Sequence, residues 1–400
     1  MHFLMERLHK TLDSLLPRVV ELRRSIHREP ELSREEHLTA QKVQEVLADF
    51  PLNLRTNLYG TGMIADIQIP GEQRIAFRGD MDALPIHEAT GLPYASRIPG
   101  VMHACGHDCH TAILTGTAMV LSELQRELSG PVRFIFQPSE EDNPRGGARG
   151  MIDAGALEGV SALFGLHLWP DLPSGCIASR PGPLMAASDH VTLTLRGIGS
   201  HAAKPHLGID AVLIAAHVIT GLQSLISRRI NPFESAVLTF GRIEGGSRYN
   251  VVADTVVLDG TCRTFNPEIR DFLEQEIPGL ASSVAQGFGA FCESRYERGY
   301  PSLHNSEELY QKIHPLLSAP DFSKVLEFRE SFEPSMIAED FAYYAKQVPA
   351  LFFWLGCRPP EATPENYPPL HNAHFTPDEK VLRHGIFCNA LLALQGLLEP

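Results

Sequence analysis

The sequence predicts an α/β protein: a larger domain on a mostly parallel sheet, with a smaller β-α-β-β-α-β domain of ferredoxin-like order inserted into it. Three observations lead there. Short apolar runs alternate with helical stretches in both outer parts of the chain, the pattern of strands covered by helices. The stretch 188–299 changes character, with strands whose residues alternate between apolar and polar, as in a sheet with one wet face. The length, 400 residues, exceeds one typical domain and suits two. The boundaries expected are 1–187 with 300–400 for the larger domain and 188–299 for the insert.

The elements follow in order. Leu8, Leu12, Leu15, Val19, Leu22 and Ile26 recur at steps of three and four, the stripe of an amphipathic helix. Pro17 lies inside it and predicts a kink or a break, because proline removes a helical hydrogen bond. Glu29-Pro30-Glu31 ends it, and a second helix is expected over 35–47. Strands are expected at 63–69, 74–78, 132–137, 162–166 and 350–355, with a helix over 111–128. In the insert, Val191, Leu193 and Leu195 alternate with Thr192, Thr194 and Arg196. A helix over 209–226, strands at 236–242 and 255–263, a helix over 267–286 and a strand at 291–298 complete the order. The stretch 358–369, rich in proline and glutamate, reads as a surface loop.

Composition narrows the partners. The net charge is −14, from 34 basic and 48 acidic residues. An acidic chain without a basic cluster argues against nucleic acid and anionic membrane surfaces and leaves small molecules. The cysteines, at 105, 109, 176, 262, 292, 357 and 388, are odd in number and show no framework of spacings, so a disulfide-stapled secreted protein is not expected. No stretch is read as approaching the roughly 20 apolar residues of a membrane span, and the N-terminus has no basic segment followed by an apolar run. The expected compartment is the reducing cytoplasm.

Polar residues crowd the ends of the expected strands, where open α/β sheets bind ligands. The strand at 74–78 runs into Gly79-Asp80-Met81-Asp82, and 132–137 runs into Ser139-Glu140-Glu141-Asp142. The strand at 162–166 runs into His167. The loop 103–110, MHACGHDCH with its preceding Met102, and the distant His371 can reach the same edge. Cys105 and Cys109 are not a CxxC pair, and no second Cys/His pair stands at zinc-finger spacing, so a redox pair and a closed zinc knuckle are both disfavoured. Gly106 permits a tight fold with Cys105 and His107 pointing inward as metal ligands; a polar loop with a buried cysteine is the alternative. Glu140 and Glu141, adjacent on extended backbone, point to opposite sides, so one can ligate a metal while the other works as a base; a solvated acidic loop is the alternative. His167 is a ligand or a satisfied core histidine. Asp80, Asp82 and Asp108 can hold ligating histidines by hydrogen bonds, or form ordinary turns. His201, in GIGSHAAKPH, is a donor to a developing oxyanion or an exposed loop histidine.

Seven motifs stand in order: RRSIHREPELS, RGDMDALP, MHACGHDCHTA, QPSEED, GLHLWP, GSHAAKPH and LHNAHFTPDE. Together they resemble the M20 metallopeptidase family in its amidohydrolase branch, which includes hippurate hydrolases, N-acetyl amino acid deacetylases and plant auxin-conjugate hydrolases. The resemblance spans about 23–379. It implies a catalytic domain with a lid that also pairs the subunits of a homodimer. It implies two divalent metal ions per subunit (Mn, Zn, Ni or Co), with Cys105 bridging and His107, Glu141, His167 and His371 as the other ligands. Glu140 would be the general base and His201 the oxyanion donor, in its own or the neighbouring subunit's site. Asn250 and Arg263 would contact substrate, an N-acyl amino acid cleaved to a carboxylic acid and a free amino acid. Ser139, where the family usually has alanine, and Met336-Ile337-Ala338-Glu339-Asp340, altered from Gly-Ala-Glu-Asp, bear on substrate preference. A dipeptidase or a carbamoyl amidohydrolase would use similar chemistry. A non-catalytic carrier of small carboxylates would have no need of an unligated Glu140, and a structural partner-binding protein leaves the ordered ligand set unexplained.

Overall fold

Four strands form the middle of the larger unit's sheet: Val132–Gln137, Arg74–Asp80, Val160–Pro173 and Ala350–Arg358, all parallel to one another. The computed structural model describes residues 2–71, 73–330 and 333–395. Long apolar side chains explain the central strands. Phe77 lies between Phe134 and Phe164 on the two flanking strands, with ring centroids 6.3 and 5.5 Å away. All three rings are buried, each worth about 1.5–3 kcal/mol of burial.

Each flank joins the centre by an antiparallel pair. Gly62–Ile67 pairs antiparallel with Val132–Gln137 and is edged by Asn53–Leu58; Cys176–Ala178 pairs antiparallel with Ala350–Arg358 and is edged by Glu327–Arg329. The eight-stranded sheet is thus parallel through its four central strands and again in the edge pair of Cys176–Ala178 with Glu327–Arg329. The three short strands Asn53–Leu58, Cys176–Ala178 and Glu327–Arg329 are absent from the sequence reading, since none carries a long apolar run.

The helix His107–Glu123 is buried on all sides from His107 to Ser122, which suits its nearly uncharged sequence. It packs against the helices His2–Arg28 and Lys380–Leu394. Two expectations need correction here. Of the kink or break expected at Pro17, the break does not occur: the first helix runs from His2 to Arg28 with Pro17 inside it. Pro17 and Asp13, the residue whose carbonyl loses its partner, both lie on the exposed face, where water can satisfy that carbonyl, while Leu8, Leu12, Val19, Leu22 and Ile26 are buried opposite. The helix expected from 111 starts at His107, so the second half of the 103–110 loop is its first turn.

The chain divides into two compact units, Met1–Leu184 with His304–Glu333 and Asp340–Pro400, and Met185–Leu303 with Pro334–Glu339. The second unit takes the short segment Pro334–Glu339, which the sequence boundaries left with the first. Its four strands stand in the order Ala236–Gly245, Thr255–Thr264, Ala187–Arg196, Phe291–Arg298, all antiparallel. The helices Ala211–Ser224 and Pro267–Gly287 bury one side each in a core with Val191, Leu193, Leu195, Val256 and Leu258. This is the ferredoxin-like arrangement. Leu225–Arg229 continues the first helix as a π turn. The resulting 19 residues, Ala211–Arg229, are long and apolar enough by composition to cross a membrane, so the expectation that no stretch approaches that length was too strong. Thr220, Gly221 and His217 interrupt the run to the eye without lowering its mean hydropathy enough. Ala211, Ile214, Ala215, Val218 and Leu222 are buried in the unit's own core.

Candidate metal centre

Parallel strands place Asp80, at the end of Arg74–Asp80, and the turn after Val132–Gln137 on one edge of the sheet. His167 reaches that edge differently from the expectation. Its strand does not end there but runs on to Pro173. Pairing with Arg74–Asp80 stops at Gly165, while pairing with Ala350–Arg358 continues beyond His167. The sheet is therefore open on one side of His167, and the 103–106 loop and the first turn of His107–Glu123 fill the gap.

Gly106 makes that turn possible. It adopts φ +85°, a left-handed conformation, and a Cβ there would meet Leu168 Cδ1 at 2.8 Å. On either side of it Cys105 and His107 face inward and are buried. Cys105 Sγ lies 3.3 Å from His167 Nε2. His371 Nε2 lies 3.2 Å from Glu141 Oε1, and His107 Nε2 lies 4.0 Å from the same oxygen. The donor atoms of Cys105, His107 and His167 all fall within 4.8 Å of one another, as do those of Cys105, Glu141 and His371, and those of His107, Glu140 and Glu141. Cys105 is common to two of these groups. His371 is half exposed, while Glu140 is buried.

Asp82 organises the acidic turn. Its Oδ1 accepts from the Glu140 N–H at 3.0 Å and from His107 Nδ1 at 3.2 Å; its Oδ2 accepts from the Glu141 N–H at 2.9 Å and the Ser33 hydroxyl at 2.7 Å. Ser139 sits at φ 60° and its N–H donates to the buried Glu36 at 2.8 Å, which holds the bend that aims the two glutamates. Asp80 Oδ1 accepts from His110 Nδ1 at 2.6 Å, and Asp80 also pairs with the buried Arg78. Arg78 and Gln137 in turn hold Asp340, at 2.7 and 2.8 Å. Asp108 turns away from this set: its carboxylate pairs with Arg23 Nε at 2.7 Å and His27 Nδ1 at 2.8 Å. It supports the N-terminal helix rather than hydrogen-bonding a candidate ligand.

In the second unit, His201 and Asn250 are neighbours. Val251 is opposite His201 in a two-residue ladder, and the Ala202 N–H donates to the Asn250 carbonyl at 3.1 Å. The Ala203 N–H donates to His201 Nδ1 at 3.0 Å, so in the neutral ring the proton sits on Nε2, leaving a donor on an exposed side chain. Arg263 is half-buried on the strand Thr255–Thr264, opposite Ser188.

A sequence profile described as peptidase family M20/M25/M40 matches residues 76–394. The chain belongs to this family. An N-acetyl-L-cysteine deacetylase of Bacillus subtilis is 40% identical over 346 residues, covering 86% of this chain and 82% of that protein. Thermostable carboxypeptidase 2 of Saccharolobus solfataricus is 35% identical over 396 residues, 98% of each chain. Among solved structures, the Bacillus subtilis YXEP protein, described as a dinuclear metal-binding peptidase of family M20, superposes with a TM-score of 0.81 at 36% identity, covering 96% of this chain and 99% of that one. As a member of the M20 family the chain is an enzyme, a hydrolase of amide bonds.

The residues fit the dinuclear chemistry of such a relative. Among the described residues, His107 Nε2 and Glu141 Oε1 are buried without a hydrogen-bond partner, as lone pairs meant for a cation would be. Charge points the same way. Burial opposes ionisation of Asp80 and Asp82, yet His107, Arg78 and His110 hold the Asp80 carboxyl below the usual range, and His107 with the Ser33 hydroxyl and Glu141 N–H contacts does the same for Asp82. Burial alone would lower His107, but Asp80 and Asp82 outweigh it and push it up to about 10. Burial, with Glu141 and Glu140 adding to it, pushes the Cys105 thiol up. Protons thus occupy the positions that dications would take from them. Sequence reasoning missed Glu36, Ser33, Arg78, Gln137 and Asp340, all of which hold the site by hydrogen bonds. Arg78 stands two residues from Asp80, but the other partners lie far off in sequence, so the motifs that contain some of these residues do not show what they hold.

Proposed function

We propose that the chain hydrolyses N-acyl amino acids to a carboxylic acid and a free amino acid. Two divalent ions, from the set Mn, Zn, Ni and Co that thiolate, imidazole and carboxylate donors accept, would be held by Cys105, His107, Glu141, His167 and His371. The observation that carries the reading is the convergence of these five side chains with Glu140 buried beside them. When bound, the ions supply polarisation of the amide carbonyl and acidify water.

The chain's own residues do the rest. Glu140, within reach of the same group as Glu141, takes a proton from the attacking water and delivers it to the departing amine. His201, its Nε2–H left available by the Ala203 contact, donates to the developing oxyanion, from its own or a partner subunit. Asn250 and Arg263 bind the substrate. Asp80 and Asp82 keep the surrounding histidines in place. The second unit would serve as a lid and as the contact of a homodimer, which its exposed Val212, Leu213, Ile243 and Tyr249 favour. The cytosol is the compartment that seven free, buried cysteines suit.

The carboxypeptidase relative favours a second reading, in which the acyl group is itself a peptide. One experiment separates them. Protein stripped with chelator and reloaded with defined ions is assayed on N-acetyl, N-benzoyl and indole-acyl amino acids beside dipeptides. Turnover of the acyl series that disappears on chelation is the expected result. Turnover of dipeptides alone, or activity that survives chelation, would refute the proposal.

A further inference from the structure

MHACGHDCH holds a third histidine, His110, to which the ligand set above gives no role. Its Nδ1 lies 2.6 Å from Asp80 Oδ1, and its Nε2 accepts the Leu168 N–H at 2.9 Å. Both contacts are buried, and together they fix the ring: a backbone amide can only donate, so Nε2 carries the lone pair and Nδ1 the proton. Asp80 is held as the acceptor by Arg78, which is itself tied to Gln137 at 2.9 Å and to Asp340 at 2.7 Å. The residue whose N–H His110 holds is the one whose carbonyl His167 uses. His167 Nδ1 donates to the carbonyl of Leu168 at 2.7 Å, which leaves its Nε2 lone pair facing Cys105 Sγ at 3.3 Å.

We propose that His110 is not a metal ligand but a positioning residue, which through the Leu168 backbone fixes the orientation of His167. His110, with Asp80 and His107, forms a group with metal-ligand spacing, so spacing alone would make it a ligand. The hydrogen bonds decide otherwise. His107 keeps a buried, unpartnered Nε2, His167 turns its Nε2 to the thiol, and His110 has already given its Nε2 to an amide. The sheet opening beyond Gly165 explains the need: on that side the Leu168 amide has no strand to pair with, and His110 takes the place of the missing neighbour. The inference rests on His167 being a ligand.

The test uses full-length protein stripped with chelator and titrated with Mn(II) alone. His110→Gln retains one acceptor and one donor on a side chain of similar reach, and His110→Phe retains the ring without either. Phe is expected to bind two ions per chain with one of them weaker by roughly 10- to 100-fold, the usual cost of losing a partner behind a ligand, while Gln stays close to wild type. Nitrogen-15 spectra of the stripped wild-type protein are expected to show His110 protonated on Nδ1 and bare on Nε2, a readout that does not depend on either variant folding. A protonated Nε2 at His110, loss of an ion in both variants, or unchanged ion affinity in the Phe variant would each overturn the assignment. His167→Ala distinguishes the two levels: if it binds both ions as tightly as wild type, the ligand set itself fails, whereas loss of an ion there with no change in His110→Phe fails the positioning role alone.

Discussion

Asp82→Asn tests how the acidic turn is held. The substitution keeps shape and removes charge, and the structure shows what that costs. All the contacts of the Asp82 carboxylate described above come from donors: two backbone N–H groups, one imidazole N–H and one hydroxyl. Asparagine must turn an NH2 toward one pair. The Ser33 hydroxyl can rotate and accept, so the favoured orientation puts NH2 on that side, against the Glu141 N–H. One buried N–H then loses a charged acceptor, at about 1.5–3 kcal/mol. If that is felt wholly in the placement of Glu141, ion binding weakens by roughly 10- to 150-fold. Titration of chelator-stripped protein with Mn(II), following the free ion by electron paramagnetic resonance, measures it, with circular dichroism as the check on folding. Ser33→Ala, which leaves the backbone contacts in place, is expected to change binding by less than about threefold, since it removes one half-buried hydroxyl contact. A folded Asp82→Asn that binds Mn(II) as tightly as wild type would refute the claim that this carboxylate sets the ligand turn.

Three further predictions follow from the same geometry. Glu140→Gln should keep the wild-type ion content by elemental analysis while turnover falls by about 10²–10⁴-fold, the range for a lost general base. Gly106→Ala should lower the denaturation midpoint and the ion content together, because a left-handed alanine costs about 1–2 kcal/mol and its Cβ displaces Leu168, the neighbour of His167. His384 is lowered by burial to about 4, so the folded chain holds it neutral while the unfolded chain takes up a proton from about pH 6.5 downward. Stability is therefore lost as pH falls through that window, by on the order of 3 kcal/mol once below the folded value. Urea midpoints of stripped His384→Gln should change less between pH 7 and 4 than those of wild type.

Much of the fold is legible in sequence because its central strands are extreme. Val132–Gln137 and Ala350–Arg358 are buried nearly throughout, and a run of that composition has few other places to go. The second unit is legible for the opposite reason: Val191, Leu193 and Leu195 alternate with polar residues, which records a one-sided sheet directly. The edge strands Cys176–Ala178 and Glu327–Arg329 are not, since three residues hold no periodicity. Pro17 does not end its helix because its effect depends on which face it occupies, a fact settled by packing of the whole helix.

The sequence by itself determined the inventory of the site: a thiol, imidazoles and adjacent carboxylates placed after apolar runs, with a glycine where the chain must turn. It did so because residue type and local spacing are properties of the chain alone. Only the tertiary structure decided which imidazole does what. His107, His110 and His167 are chemically alike, and they differ only in whether a carboxylate, a backbone amide or a thiol from elsewhere in the fold has claimed each nitrogen. Those partners arrive across as many as 62 positions of sequence, and Asp108, adjacent to His107, is drawn off by Arg23 and His27 on another helix. Hydrogen bonds of this kind are short-ranged and directional, so they exist only once packing has brought both ends together.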